Sequence, residues 1–147
     1  MKSKPLFAFL VSGIALASLA AEPLRTSGVI HIEHEKVAAA LASGAPLVVT
    51  NTFKVQTGNR TQPGEVEVHE RDTDIFYILK GSATFVTGGA IEGAREISPG
   101  ETRAKTIRGG EECRLTKGDV IVIPNRVPHW FKQVKGRVVY YVVKVAQ

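Results

Sequence analysis

The 147-residue chain has a single cysteine, Cys113, so no internal disulfide can staple its fold. Nothing in the sequence pairs that thiol with a base, and it reads as a small, partly buried side chain. The basic residues are scattered and form no stripe interleaved with aromatics, which argues against a nucleic-acid partner. There is no G-x-S-x-G elbow, no glycine-rich phosphate loop closing on Lys-Ser/Thr, no C-x-x-C pair and no dinucleotide fingerprint. These absences narrow any chemistry to a metal or to none. Internal repeats, low-complexity tracts and linkers are lacking as well.

The apolar run "LFAFLVSGIALA" near the start is too short, and too rich in Ala, Ser and Gly, for a comfortable membrane span. Lys2 and Lys4 precede it and "SLAAEP" follows it, which is the pattern of a cleaved signal peptide over residues 1–20. Cleavage would remove those two lysines and none of the fourteen acidic residues, taking the formal charge from +5 to +3. The expectation is a periplasmic or secreted protein with one domain over residues 21–147 and no membrane partner after cleavage.

Within that span, "GVIHI" alternates like a short strand, and "EHEKVAAALAS" predicts one helix ending at Gly44. From Leu47 the texture is β-branched and aromatic: "LVVTNTFKV", "EVEVH", "DIFYILKG", "ATFVT", "DVIVIP", "HWFKQV" and "RVVYYVVKV". Turn signals such as Pro63-Gly64, Gly109-Gly110 and Lys117-Gly118-Asp119 separate them, and such spacing indicates a sandwich or barrel. "RVVYYVVKV" is apolar on both faces, which places it between the barrel interior and a cover, for which the Ala-rich helix is the candidate.

Strand alternation puts Glu67 and His69 on one face, with Val66 and Val68 on the other. The turn "ERDT" would bring the next strand back beside the first and aim Asp74 at the same point. His129 follows a strand that ends at Pro124. His31 and His34 read as surface residues on or beside the helix. Phe131 shares the face of His129, while Phe76, Tyr77 and Tyr141 are candidates for the cavity or its back.

"HERDTDIFYILKG" and "GDVIVIPNRVPHWFKQ" resemble the two motifs of the cupin superfamily. In the first, Asp74 occupies the acidic position, six residues separate it from the closing Gly81, His69 falls at the second histidine and Glu67 stands where the first is expected. In the second, Gly118, Pro124 and His129 match, while Arg126 replaces a glycine and Gln133 an asparagine. The resemblance spans residues 64 to 133, about half the chain. It implies an all-β, single-domain jelly-roll barrel with a short N-terminal helix and one interior divalent metal ion, bound by Glu67, His69, Asp74 and His129.

Carboxylate in place of imidazole hardens such a site toward iron, manganese or zinc, with nickel also open. Glu67 has three readings: ligand, general base, or orienter of a ligand. Asp74 beside Arg71 has the alternative of a salt-bridged turn residue. Two functions stay open. One is a metal-dependent dioxygenase-type oxidoreductase acting on a small, anionic molecule, and the other a non-catalytic small-ligand-binding module with a structural metal or none. The resemblance also implies a homodimer paired through strand edges. Residues 88–117 form a polar, glycine-punctuated insertion that would carry a hairpin and could move as a lid, with Arg103 and Lys105 alternating on one face toward an anion.

Overall fold

The computed structural model describes residues 28–147; the leader expected over 1–20 lies outside the described residues. Helix α1 (His34–Ser43) stops where expected, at Gly44 in the left-handed conformation, with the Gly44 N–H donated to the Ala40 carbonyl. "GVIHI" is not a strand: residues 29–33 have no regular structure, and Val29 is fully exposed. Among the described residues, no strand pairs with this segment. Among the described residues, no helix is long and apolar enough to cross a membrane.

Strands β1 (Pro46–Val49) and β2 (Phe53–Arg60) pair antiparallel. The continuous run "LVVTNTFKV" is split because the Thr50 hydroxyl accepts the Phe53 N–H and donates to the Phe53 carbonyl, closing a turn. Then come β3 (Val66–His69), the long β4 (Asp72–Thr87), β5 (Ala90–Glu92), β6 (Arg95–Ser98), β7 (Glu101–Ala104), β8 (Thr106–Arg108), β9 (Glu111–Thr116), β10 (Val120–Ile123) and β11 (His129–Ala146). The main sheet runs β1-β2-β11-β3-β7-β6, while β4 pairs with β10, β11 and β9, and β5 with β8 forms a separate two-stranded sheet. All pairings are antiparallel, giving the expected all-β jelly-roll with one short N-terminal helix.

Three expectations are corrected. β3 and β4 do not pair with each other; β3 lies between β11 and β7. The bend at Glu70-Arg71 carries the chain from one part of the barrel to another, and Asp74 approaches the β3 residues across the interior. The insertion over 88–117 is no lid of loop, because its β7 and β9 are strands of the main sheet. The helix covers β1 and β2 rather than β11: the Thr57 hydroxyl donates to Ala40 O at 2.8 Å and the Asn59 amide donates to Leu41 O and Ala42 O. Helix-end carbonyls are thereby satisfied by the one strand with polar side chains in reach.

The two longest strands, β4 and β11, are in register from Asp72↔Ala146 to Thr87↔His129, with slips near their middle. Gly81 sits at that bend with φ 84°, and a Cβ there would lie 1.9 Å from the Arg137 carbonyl oxygen. No other residue fits, which accounts physically for the glycine closing the first motif. Inward positions alternate as strands require: Asp72, Asp74, Phe76 and Ile78 are buried on β4, and Val138, Tyr140 and Val142 on β11. Their outward neighbours on β11 are half-buried. Phe76, Phe85, Phe131 and Tyr140 interlock as an aromatic core with ring centroids 4.7 to 5.9 Å apart, each buried phenyl contributing about 1.5–3 kcal/mol. Three of these rings, Phe76, Phe131 and Tyr140, line the cavity where the polar residues gather.

Candidate metal centre

Position His129 is in register with both Glu67 on β3 and Thr87 on β4, so the first residue of β11 links two parts of the barrel. The turn before it is pinned to the end of β3, because the Arg126 N–H donates to the His69 carbonyl at 2.7 Å. Arg126 itself has φ 65°, the conformation that glycine would take without cost, which explains why the motif has glycine there. The two histidines are therefore placed by one hydrogen-bonded junction, and their rings lie 5.2 Å apart.

All four residues singled out from the sequence converge. Donor atoms of Glu67, His69 and His129 lie within 4.8 Å of one another. The Asp74 Oδ2 oxygen is 3.4 Å from His69 Nε2 and 3.6 Å from His129 Nε2. Asp74, only 1 % exposed, forms its ion pair with Lys144 rather than Arg71, the Lys144 Nζ lying 2.5 Å from Oδ2. The surface turn pair is thus set aside as the account of Asp74.

His129 is prepared to ligate. Its Nδ1–H donates to the Val127 carbonyl at 3.1 Å, which fixes the tautomer and leaves the Nε2 lone pair facing the cluster. That Nε2 is buried without a hydrogen-bond partner, as is Asp74 Oδ1. Phe85 stacks on the ring and Phe76 meets it edge-on. Burial among these rings pushes the His129 pKa down and keeps the imidazole neutral. Two unpartnered polar atoms buried beside a carboxylate and a second histidine fit a metal ion, since such atoms are otherwise costly to leave unpaired.

His69 is oriented by a carboxylate instead: its Nδ1 lies 2.7 Å from Glu101 Oε2 on β7. Burial opposes protonation of His69, but the Asp74 hydrogen bond and the negative charges of Asp74 and Glu101 outweigh it and raise the pKa. Burial likewise opposes the charge on Asp74, and here the His69 and Lys144 contacts prevail and hold the carboxyl below its usual range. The Lys144 amino group is also 2.8 Å from His69 Nε2; that contact belongs to the neutral ring, whose proton points at Glu101. Glu67 is held between Arg60, at 3.4 Å, and Arg103, also at 3.4 Å.

A cavity of about 180 Å3 opens beside the cluster, bounded by Gln56, Arg60, Phe131, Tyr140 and Lys144. At roughly 30 Å3 for each water-sized group, it admits a molecule of roughly six non-hydrogen atoms. Arg60 lies over the Phe131 ring at 5.1 Å and its Nε donates to the Tyr140 hydroxyl at 3.3 Å. The Tyr140 ring reaches this place because it lies over Gly58, where any Cβ would meet it at 2.0 Å. Tyr77, by contrast, is 44 % exposed on the outer face, and Tyr141 is in register beside it rather than lining the cavity. Arg103 reaches the site through Glu67, whereas Lys105 is exposed beyond the end of β7. A larger open groove of about 540 Å3 lies at Pro63, Arg114 and Lys135, away from every titratable residue of the cluster.

Sequence reasoning missed Lys144, Glu101, Arg60 and Tyr140. Lys144 had a readable signal: it has the same parity as Val138, Tyr140 and Val142, so it had to point inward from an otherwise apolar strand. Glu101 and Arg60 had none, since their partners are set by pairings of distant strands.

The cupin family profile matches residues 55–147, and the chain belongs to that family. No curated protein matches it in sequence. Among solved structures it is similar to BH2720 from Bacillus halodurans, with a TM-score of 0.56 at 12 % identity over 84 % of this chain and 83 % of that one. It is also similar to the cupin domain of Schizosaccharomyces pombe Cnp3, with a TM-score of 0.51 at 16 % identity over 71 % and 60 % of the two chains. At these identities the likeness is one of fold alone.

Proposed function

We propose that this chain is an exported metallo-cupin that binds one divalent ion of iron, manganese, zinc or nickel at Glu67, His69, Asp74 and His129 and acts on a small anionic molecule by a metal-assisted oxidative step. The observation that carries this reading is the buried, neutral, unpartnered Nε2 of His129, facing His69, Glu67 and Asp74. A bound ion would supply a Lewis-acidic position able to take oxygen or substrate. The chain's own residues do the rest. Val127 and Glu101 orient the two imidazoles, Phe76 and Phe85 exclude water from His129, and the Arg60 guanidinium offers an anion a charged anchor at the cavity. If Glu67 is not itself a ligand, its carboxylate on the cavity wall is the group available to take a proton from a molecule there. Export rests on the leader-like residues 1–20, and secretion of a tagged full-length chain with loss of those residues tests it. A homodimer, expected of the family, is tested by sedimentation.

Oxygen consumption by iron-loaded protein, measured against small carboxylic acids, phenols and enediols, tests the enzymatic reading. Turnover that disappears in His129→Gln supports it. Metal uptake with no turnover across the panel leaves the small-ligand-binding module with a structural metal.

A further inference from the structure

We infer that Lys144 is a tethered counter-ion of the metal-free centre, which competes with the metal for Asp74 and His69 and must leave them when the ion binds. The inference rests on the metal-binding reading above and adds a residue that opposes it.

Lys144 is in register with Asp74 across β4 and β11 and points inward with Val138, Tyr140 and Val142. Its Nζ is 2.5 Å from Asp74 Oδ2 and 2.8 Å from His69 Nε2. The Nε2 lone pair that accepts from an ammonium cannot at the same time hold a metal ion. Among the described residues, Lys144 has no other polar partner. The other two cations differ: Arg60 also holds Tyr140 and Phe131, and Arg103 also holds Glu101 and the Thr102 carbonyl. Of the three, Lys144 alone is spent entirely on candidate ligands.

Charge points the same way. Glu67, Asp74 and Glu101 face Arg60, Arg103 and Lys144, so three negative groups meet three positive ones. A divalent ion added to that balance would be repelled unless one cation withdrew, and a flexible four-carbon stem makes Lys144 the one able to do so. The adjoining cavity is lined by Lys144 itself and gives the amino group a place to go. Lysine is also an incomplete substitute, because Asp74 Oδ1 and His129 Nε2 remain unpartnered with it in place. A side chain built to close the centre for good would have satisfied them.

The neighbouring lysine makes the contrast. Lys54 is in register with Lys144 across β2 and β11, but it pairs with Asp72 at 2.7 Å and is 35 % exposed. Its carboxylate belongs to no cluster.

The test is titration of cobalt(II) into chelator-treated, full-length protein by calorimetry and visible absorption, comparing the wild type with Lys144→Met, Lys144→Gln and Lys54→Met. Lys144→Met is expected to bind at least about tenfold more tightly than wild type, which is 1.4 kcal/mol. Lys144→Gln, which keeps a donor for Asp74 without the charge and guards against misfolding of the methionine variant, is expected to gain affinity in the same direction. Lys54→Met should not change it. Equal or weaker cobalt binding by both Lys144 variants overturns the inference while leaving the metal site standing. Absence of binding in every protein, wild type included, overturns the metal reading and this inference with it.

Discussion

The two walls of the centre treat their histidines in opposite ways. His69, on the β3 wall, touches Glu101 through one nitrogen and Lys144 through the other, with Asp74 and Glu67 close by. His129, on the β11 wall, has a carbonyl behind it, phenyl rings around it and a bare nitrogen in front. One wall is a balanced set of charges in which only Asp74 Oδ1 lacks a partner; the other is a desolvated donor whose ligand-facing nitrogen has none. The difference teaches that the metal-free fold draws stability from the His69 wall and that the drive to capture a ligand comes from the His129 wall.

Cutting the charged wall should have the largest effect. Asp74→Ala leaves Lys144 and His69 facing an empty interior, and urea unfolding of the metal-free protein should show a loss of about 3–5 kcal/mol. Asp72→Ala removes the buried partner of a lysine that is 35 % exposed and can turn to solvent, and should cost less, about 1–2 kcal/mol. Equal losses would erase the distinction between a buried centre and an ordinary ion pair.

Replacing each histidine in turn sharpens the comparison. His69→Leu strands Glu101 and removes an acceptor from Lys144, so metal-free stability should fall by about 1–3 kcal/mol. His129→Leu removes a buried nitrogen that had no partner but also the Nδ1–H donated to Val127 O, so the same assay should show a smaller loss, about 1 kcal/mol. Both variants should lose metal, so only the unliganded measurement separates the walls.

The pH dependence of these variants carries opposite signs. His69 has a raised folded pKa, so its stabilising contribution is present below the unfolded value of 6.5 and is lost as pH rises through the folded value. His129 has a depressed one, so its contribution is complete above 6.5 and declines as pH falls through the folded value. The deficit of His69→Leu relative to wild type should therefore widen between pH 8 and pH 5.5, while that of His129→Leu should shrink or reverse. Melting temperatures of the metal-free proteins across that range check it.

The smallest effect lies at the junction between the walls. Arg126→Gly relieves a left-handed residue at the price of an exposed contact with Glu70, and should stabilise by up to about 1 kcal/mol. Since the Arg126 N–H is retained, metal affinity should not change.

Much of this was legible in the sequence, for reasons tied to single strands. Glu67 and His69 share a face by alternation, Gly118 punctuates a turn, Gly81 closes the first motif, and Arg126 was visible as a departure at a position that wants glycine. What failed to show was whatever depends on which strands meet. The bend at Glu70-Arg71 looked like a hairpin because a short polar turn between two strands has the same local chemistry whether the strands pair or part. Glu101 and Arg60 enter the centre through β7 and β2, each of which pairs in the sheet with a strand distant in sequence, β3 and β11 respectively. Lys144 was obscured by the apolar residues around it, although its parity was there to be read.

The central claim, that these four residues form a metal centre, is tested most directly by elemental analysis of the protein purified without chelator, beside His129→Leu and Glu67→Gln. The account predicts about one equivalent of iron, manganese, zinc or nickel in the wild type and none in His129→Leu, with the loss in Glu67→Gln reporting whether that carboxylate is a ligand. A wild-type protein that carries no metal and takes up none on reconstitution contradicts it.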